Sequence, residues 1–319
     1  AGPFAIVSMF GAASLDEDMS FARKVRGALP GVKLIGIGDV FRENGEAYVS
    51  DDSPLDALLL DFTTRDILSY LRADHSAVMN MVFRDRTGPV KTPVGGRGRE
   101  FELPVPRHEL FGKYPYRHPF VRKKKFVTTL IDYGCPFDCD FCVIGKLGYK
   151  FRRPENVLQE LRRVRELGIS EIFFHTQTFG AHKASAEELC RGMIEEGLGL
   201  GWVCFSRVDV TTPALLDLMK KAGCHTIIYG VESGSEAILK KYNKGYSVKE
   251  IVSAVNYAKS IGIRTVGTFI LGLPEETRET AEATLELVKN IDLDFASFNV
   301  AVPRSGTGLR ETAIGLGFV

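Results

Sequence analysis

The chain has 319 residues, of which 45% are apolar and 25% are charged, and its formal net charge at pH 7 is +1. This length suffices for two domains with a core each, and the small charge gives no general attraction to nucleic acid or to an anionic membrane. No apolar run approaches the ~20 residues that a membrane span needs, and the N-terminus lacks the basic flank of a signal peptide. We therefore expect a cytoplasmic protein with no membrane span, no nucleic-acid partner and a small-molecule substrate.

The first 90 residues alternate between strand-like and helix-like segments. The apolar pattern predicts strands at residues 4–9, 32–37 and 55–60, helices at 16–29 and 64–71, and a hairpin near 79–90. Such an alternation is typical of a small Rossmann-like parallel α/β domain, which we assign to residues 1–90. The chain opens at Ala1 rather than at a methionine, and we expect it to be a piece of a longer protein.

Residues 91–121 differ from the segments on either side of them. They contain five prolines and four glycines and have neither a helical nor a strand period. This composition predicts an extended linker lying over a surface, and therefore a domain boundary.

A strand followed by a helix recurs from residue 126 onward. Strands are predicted at 126–131, 171–175, 202–207, 226–231, 265–271 and 295–300, with helices at 157–167, 184–196, 213–222, 248–261 and 276–290. Six parallel strands with crossover helices predict a partial (β/α)6 TIM-like barrel over residues 122–319. The active sites of such barrels lie at the carboxyl ends of the strands.

Three cysteines crowd into eight residues just after the first predicted barrel strand. Cys135, Cys139 and Cys142 have the spacing CxxxCxxC. Soft thiolates select zinc or iron–sulfur centres, and an iron–sulfur cube normally takes four ligands, so three leave one iron open. An open iron can bind a small molecule through its amino and carboxylate groups and deliver one electron to it. The alternatives are a zinc knuckle or three buried thiols that only fill space.

Beyond the cysteines, residues 126 to about 309 resemble the radical S-adenosylmethionine (SAM) superfamily. The resemblance implies a 4Fe–4S cluster on the three cysteines and SAM on the strand ends. The aromatic residue before the third cysteine, which packs near the adenine in that family, is Phe141 here. Matching positions on three later strand ends are Ser206, Arg207 and Asp209, then Glu232 and Ser233, then Ile270, Gly272 and Glu275.

One segment departs from the pattern of the superfamily. After the second barrel strand many members carry two acidic residues or Gly-Gly-Glu, which bind the amino group of SAM, whereas this chain has His175, Thr176, Gln177 and Thr178. We expect Thr176 and Gln177 to make this contact, as weaker partners of an ammonium than a carboxylate.

The segment before the barrel resembles the second half of the cobalamin-binding domain found in one subgroup of the superfamily. Small residues follow two of its strands, at 11–14 and at Gly36 and Gly38, and would let a flat ligand approach the backbone. The alternative is a plain α/β layer whose loops need tight turns. The D-x-H-x-x-G loop that supplies an axial histidine in many such domains is absent from the sequence.

The resemblance implies a radical SAM enzyme. An electron from the reduced cluster would break a carbon–sulfur bond of SAM, and the resulting 5′-deoxyadenosyl radical would take hydrogen from an unactivated carbon. With cobalamin, the expected reaction is methyl transfer, which makes the protein a transferase. The alternatives are a radical cyclase or rearranging enzyme and a non-catalytic iron–sulfur scaffold. An electron donor such as flavodoxin or ferredoxin is an expected partner.

Overall fold

The computed structural model describes residues 3–11, 13–42, 44–95, 98–114 and 116–319. The chain divides into two compact units, Ala1–Gly98 and Arg99–Val319. In the described part of the chain, no helix is both long enough and apolar enough to cross a lipid bilayer.

In its described residues, the first unit is a five-stranded sheet with two α-helices. Its elements are β1 (Ala5–Met9), α1 (Leu15–Ala28), β2 (Lys33–Ile37), β3 (Ala57–Leu59), α2 (Asp66–Leu71), β4 (Met81–Asp85) and β5 (Gly88–Lys91). The strands lie side by side in the order β1-β2-β3-β4-β5, the first three parallel and the last two antiparallel. The predicted α/β layer is thus confirmed, with the correction that the hairpin joins the same sheet and makes it mixed.

Two of the glycines in this unit have structural reasons to be glycine. A Cβ atom on Gly38 would lie 2.4 Å from the carbonyl oxygen of Phe10, and one on Gly36 would lie 2.9 Å from the side chain of Leu58. Atoms of the same unit therefore occupy the space beside both glycines. Ala12, which belongs to the predicted small-residue loop, lies outside the described residues.

The second unit contains the remaining elements. They are β6 (Glu100–Phe101), β7 (Val127–Leu130), β8 (Asp132–Gly134), β9 (Tyr149–Arg152), α3 (Pro154–Glu166), β10 (Glu171–His175), α4 (Lys183–Glu195), β11 (Gly201–Ser206), α5 (Pro213–Lys221), β12 (Cys224–Glu232), α6 (Glu236–Lys241), α7 (Val248–Ser260), β13 (Arg264–Leu271), α8 (Arg278–Asn290), β14 (Phe295–Val300) and α9 (Gly308–Gly315).

Six of these strands form the parallel sheet that the sequence predicts. Their order is β14-β13-β12-β11-β10-β7, and every described pairing in this sheet is parallel. Several helices of this unit start at a sequence signal: α3 and α5 have proline in the first turn, and α7 has a capping box of Ser247 and Glu250. The partial (β/α)6 barrel is confirmed.

Along each strand, successive side chains face the helices and the barrel interior in turn. Outward residues such as Phe174 and Trp202 join the large core beneath the helices, while Phe173, Val203, Ile228 and Val266 form a separate cluster on the inner face. The segment before β7 packs against this inner cluster through Phe120, Val121 and Phe126. It therefore fills the interior near the amino ends of the strands.

This packing differs from the predicted surface linker at 91–121, because the part after Gly98 belongs to the second unit. Phe101 is buried beside β9, and His118 stacks on Phe173 with ring centroids 4.4 Å apart. His108 bonds to the buried Glu160 at 3.0 Å. Aromatic and histidine side chains spaced among the prolines anchor the segment, although they form no regular period.

The sequence pattern also missed the small sheet β6-β9-β8 and the helix α9. The three strands have only two to four residues each, and a strand of that length is too short for a period of two to be recognised.

Candidate cofactor site

The three clustered cysteines lie on one loop, residues 135–142, which we call the cysteine loop. It follows β8, and the N–H of Cys135 donates to the carbonyl of Gly148 at 3.1 Å. Gly134 has φ +73°, and a Cβ atom there would lie 1.7 Å from the oxygen of Gly148. Only glycine allows the two chain segments to approach so closely.

Two of the thiols are partly desolvated but receive hydrogen bonds. Burial raises the pKa of Cys135 and of Cys142. The backbone N–H of Phe137 acts in the opposite direction on Cys135, and that of Ile144 does so on Cys142. The hydroxyl of Thr178 lies 3.9 Å from the Cys135 sulfur. N–H groups directed at sulfur favour the thiolate, which is the form that binds a metal.

Arg207 reaches the cysteine loop from the end of β11. The residue is 6% exposed, and its guanidinium donates to the Cys139 sulfur at 3.5 Å and lies 3.8 Å from the ring centroid of Phe137. Two further hydrogen bonds, of 2.9 and 2.8 Å, tie it to the Asp209 carboxylate. The guanidinium therefore brings a fixed positive charge to the sulfur atoms.

Lys244 is a second buried cation at the site, and the sequence analysis did not identify it. Its ammonium group is 3.1 Å from Glu232 Oε1 and 5.5 Å from the ring centroid of Phe141. Burial lowers the pKa of Lys244, but Glu232, Tyr246 and Cys139 raise it and prevail, so the side chain is charged. In the sequence Lys244 lies in the loop between α6 and α7 and does not follow a strand, and no motif pointed to it.

Glu232 has an unusual backbone at the end of β12. Its φ is +68°, and the pairing with β13 shifts register between Gly230 and Glu232. A residue other than glycine in this region is uncommon, and such strain concentrates at functional sites. Glu232 does not cap α6, because that helix has Ser235 at its N-cap and no side-chain cap.

The predicted adenine-facing residues come together in one apolar cluster. Phe141 and Ile270 pack against Leu273 and Leu309, and Gly272, with φ +79°, forms the turn that follows β13. The N–H of Gly272 donates to Glu276 at 2.6 Å. The neighbouring Glu275 pairs with Lys241 at 3.2 Å and accepts a hydrogen bond from Tyr242.

The segment after β10 contains the residues that depart from the superfamily pattern. Thr176 is buried and donates to Asp132 Oδ2 at 2.5 Å, and the N–H of Gln177 donates to Asp132 Oδ1 at 3.3 Å, while the Gln177 side chain is exposed. Burial outweighs these hydrogen bonds and raises the pKa of Asp132 to about 7. Asp132 is a site residue that the sequence analysis did not single out.

Two of the predicted cofactor contacts have their hydroxyl groups engaged within the fold. Ser206 donates to the carbonyl of Phe179 at 2.7 Å. Ser233 is 1% exposed, lies 3.1 Å from the Thr284 hydroxyl and accepts from the N–H of Ser235. Both serines lie at the predicted strand ends, where these bonds fix the shape of the turns.

The other three cysteines are distant from this chemistry. Cys190, Cys204 and Cys224 are buried in the core between the sheet and the helices, where they pack among apolar side chains.

Comparison with known proteins agrees with this geometry. Residues 130–288 match the sequence pattern of the Radical SAM superfamily. The uncharacterized methyltransferase PH0819 of Pyrococcus horikoshii is 37% identical over 217 residues, which are 67% of this chain and 47% of that protein. The chain belongs to the radical SAM superfamily.

Solved radical SAM structures share the fold. The methyltransferase TsrM from Kitasatospora setae, solved with cobalamin and a 4Fe–4S cluster bound, superposes with a TM-score of 0.78 at 17% identity, over 98% of this chain and 68% of that one. The cobalamin-dependent enzyme OxsB, solved with aqua-cobalamin and SAM, gives 0.71 at 17% identity, over 98% and 46%. Against curated relatives, the chain spans about half of their length or less.

The cysteine loop of this radical SAM chain suits an iron–sulfur cluster. A 4Fe–4S cube takes each protein thiolate on a different iron, so its ligands need not converge on one point. Within the described ranges, no three His, Cys, Asp or Glu side chains are arranged to hold a single metal ion. The donors that the loop does offer are three thiols, two of which receive backbone N–H bonds and one of which receives the Arg207 guanidinium.

Proposed function

We propose that this chain is the catalytic part of a radical SAM enzyme that binds a 4Fe–4S cluster through Cys135, Cys139 and Cys142 and cleaves SAM reductively. The observation that supports it best is the pairing of a three-thiol loop with two buried cations, Arg207 and Lys244, at the carboxyl ends of a parallel barrel. When bound, the cluster supplies one electron and an open iron for the cofactor.

The protein's own residues would bind and orient the cofactor. Arg207 lies close to the Cys139 sulfur and Lys244 lies close to the Glu232 carboxylate, and both cations can attract the SAM carboxylate. The Glu232 carboxylate and the apolar cluster around Phe141 and Ile270 offer partners for the ribose hydroxyls and the adenine. Burial of these groups excludes water, which protects a reactive radical.

We propose further that the reaction is methyl transfer and that cobalamin takes part. Two observations favour this over a cyclase or a scaffold: the methyltransferase relative, PH0819, and the cobalamin-binding proteins whose fold the chain shares. The substrate would be a small molecule with an unactivated carbon, and a flavodoxin or ferredoxin would supply the electron. The glycines at 36 and 38 lend little support to cobalamin binding, because contacts within the unit already require them.

The decisive experiment is an anaerobic assay of SAM cleavage. The chain is reconstituted with iron and sulfide, reduced with dithionite in the presence of SAM, and assayed for 5′-deoxyadenosine by mass spectrometry. We expect product from the natural chain and from Cys190→Ala, whose cysteine is buried in the core, and none from Cys139→Ala. Absence of product from a fully loaded natural chain would favour a non-catalytic scaffold.

A second measurement separates methyl transfer from ring formation. Methyl transfer predicts that S-adenosylhomocysteine accumulates beside 5′-deoxyadenosine and that added hydroxocobalamin is retained on gel filtration. A chain that forms only 5′-deoxyadenosine and retains no cobalamin would instead fit a cyclase or rearranging enzyme.

A further inference from the structure

Asp132 is a buried carboxylate for which the described residues provide no cation. It is 6% exposed and lies on β8, three residues before Cys135. Its two oxygens accept hydrogen bonds from the Thr176 hydroxyl and the Gln177 N–H. Within the described residues, no lysine, arginine or histidine forms an ion pair with it, whereas Arg207 and Lys244 both have carboxylate partners.

In the protein alone, neither the charge nor the hydrogen-bonding capacity of the Asp132 carboxylate is fully satisfied. A buried carboxylate without a counter-ion has lost much of its hydration, and its two oxygens can accept about four hydrogen bonds, of which two are supplied here. A cation that arrives with a ligand would complete the site. The cofactor of the proposed function carries two positive groups, an ammonium and a sulfonium.

A chain of hydrogen bonds connects the Asp132 carboxylate with the cysteine loop and polarises the groups between them. The Thr176 hydroxyl donates to Asp132 and accepts from the N–H of Thr178 at 3.1 Å, so it can offer a ligand only an acceptor lone pair. The Thr178 hydroxyl in turn lies 3.9 Å from the Cys135 sulfur. A donor group such as an ammonium, placed between β10 and the loop, would meet an oxygen polarised by the carboxylate.

We propose that Asp132 is a positioning residue for the SAM amino group, to which it supplies negative charge through Thr176. This role rests on the proposed function, because it requires that SAM binds at the cysteine loop. It also accounts for the absence of an acidic residue at positions 176 and 177: the carboxylate lies on β8, in the small sheet, and its partner Thr176 provides a hydroxyl where a carboxylate is usual.

The test relocates the charge while keeping the site polar. Asp132→Asn removes the charge at nearly constant shape, Asp132→Ser removes it with a smaller side chain, and the double variant Asp132→Ser with Thr176→Asp moves the carboxylate across the 2.5 Å hydrogen bond. The matched control is Glu171→Gln. That carboxylate is also buried, but it lies at the amino end of β10 and bonds to His225 at 2.9 Å.

Two quantities are measured on the reconstituted full chain: the SAM dissociation constant by equilibrium dialysis, and the EPR spectrum of the reduced cluster with and without SAM. We expect both single Asp132 variants to bind SAM about tenfold more weakly or worse, because the Thr176 oxygen that receives the ammonium is no longer polarised by a negative charge. Their SAM-free EPR spectra should match that of the natural chain. The relocated carboxylate should recover most of the affinity, and Glu171→Gln should bind normally.

Two results would overturn the inference while leaving the proposed function intact: unchanged SAM affinity in both single variants, or weak binding that the relocated carboxylate fails to restore. An altered SAM-free spectrum in both single variants would also overturn it, since the carboxylate would then be shaping the cysteine loop. If the loaded natural chain binds no SAM, the proposed function itself is wrong and the role of Asp132 falls with it.

Discussion

Replacing Lys244 by methionine should destabilise the second unit far more than removal of an ordinary surface lysine. The Lys244–Glu232 pair is 3.1 Å long, with side-chain exposures of 5% and 13%. Methionine fills a similar volume but leaves the Glu232 carboxylate desolvated and without a cation. Breaking a buried pair costs about 3–5 kcal/mol, and because Glu232 retains some contact with water we expect the lower end, about 3 kcal/mol.

The chain provides both a matched control and a local probe. Lys241 pairs with Glu275 at 3.2 Å with side-chain exposures of 46% and 31%, so Lys241→Met should cost less than about 1 kcal/mol. Trp202 is the single tryptophan of the chain and is fully buried in the second unit. Its fluorescence during urea unfolding of the cluster-free chain therefore reports the stability of that unit. About 3 kcal/mol corresponds to a fall in Tm of roughly 6–12 °C for a unit of this size.

A double-mutant cycle isolates the ion pair from other effects of the substitutions. If the buried charges are coupled, Lys244→Met combined with Glu232→Gln should be less destabilising than the sum of the single variants by at least about 1.5 kcal/mol. Additive losses, or a Lys244→Met effect no larger than that of Lys241→Met, would show that water screens this pair and that our reading of its burial is wrong.

Three further variants or treatments probe other parts of the second unit. Gly134→Ala should lower the free energy of unfolding by more than about 3 kcal/mol and abolish iron binding. The control is Gly148→Ala, where φ is +78° and nothing lies within 4 Å of a new Cβ; it should lower the free energy of unfolding by about 1 kcal/mol and keep the iron. Iron content and urea unfolding measure the two effects. Burial raises the pKa of Glu160, but hydrogen bonds from its neighbours lower it and prevail, so its contribution to stability is present above pH ~4.3 and lost as the pH falls further. Glu160→Gln should therefore flatten the acid limb of the stability curve, and an unchanged limb would contradict this. Stripping iron with a chelator should lower the unfolding midpoint yet leave the Trp202 emission spectrum native, and a red-shifted spectrum would mean that the barrel needs its cluster to fold.

The barrel could be predicted from sequence because its strands carry long apolar runs. β10 and β14 match the predicted bounds, and the other barrel strands begin or end within two residues of theirs. Burial on both faces gives near-continuous apolar segments in β10, β11 and most of β12, and the crossover helices have a clear period. The three cysteines were recognisable for a different reason, since their ligand spacing lies within eight residues.

Lys244 and Asp132 could not be predicted from the sequence, and for Asp132 one reason is that its hydrogen-bond partner is distant in the sequence. Thr176 is 44 residues from Asp132, and the cysteine bonded by Arg207 is 68 residues away from it. Neither Lys244 nor Asp132 belongs to a motif, and an isolated lysine or aspartate is most often a solvated surface residue. The sequence did reveal the missing acidic residues after β10, but only the fold shows which carboxylate lies beside them.

The hydrogen bonds behind the cysteine loop have a consequence for the order of folding. The Asn243 side chain donates to the carbonyl of Asp138, 105 residues earlier, and the N–H of Leu309 donates to the carbonyl of Asp140. During synthesis the three cysteines therefore leave the ribosome long before Asn243 and Leu309, which hydrogen-bond to their loop, have been made. Loop-closure entropy delays such contacts until the intervening strands have paired. Cluster insertion is thus expected to be a late event, in which the assembly machinery meets a nearly finished barrel, and a pulse-labelled nascent chain stalled before residue 240 should not retain iron.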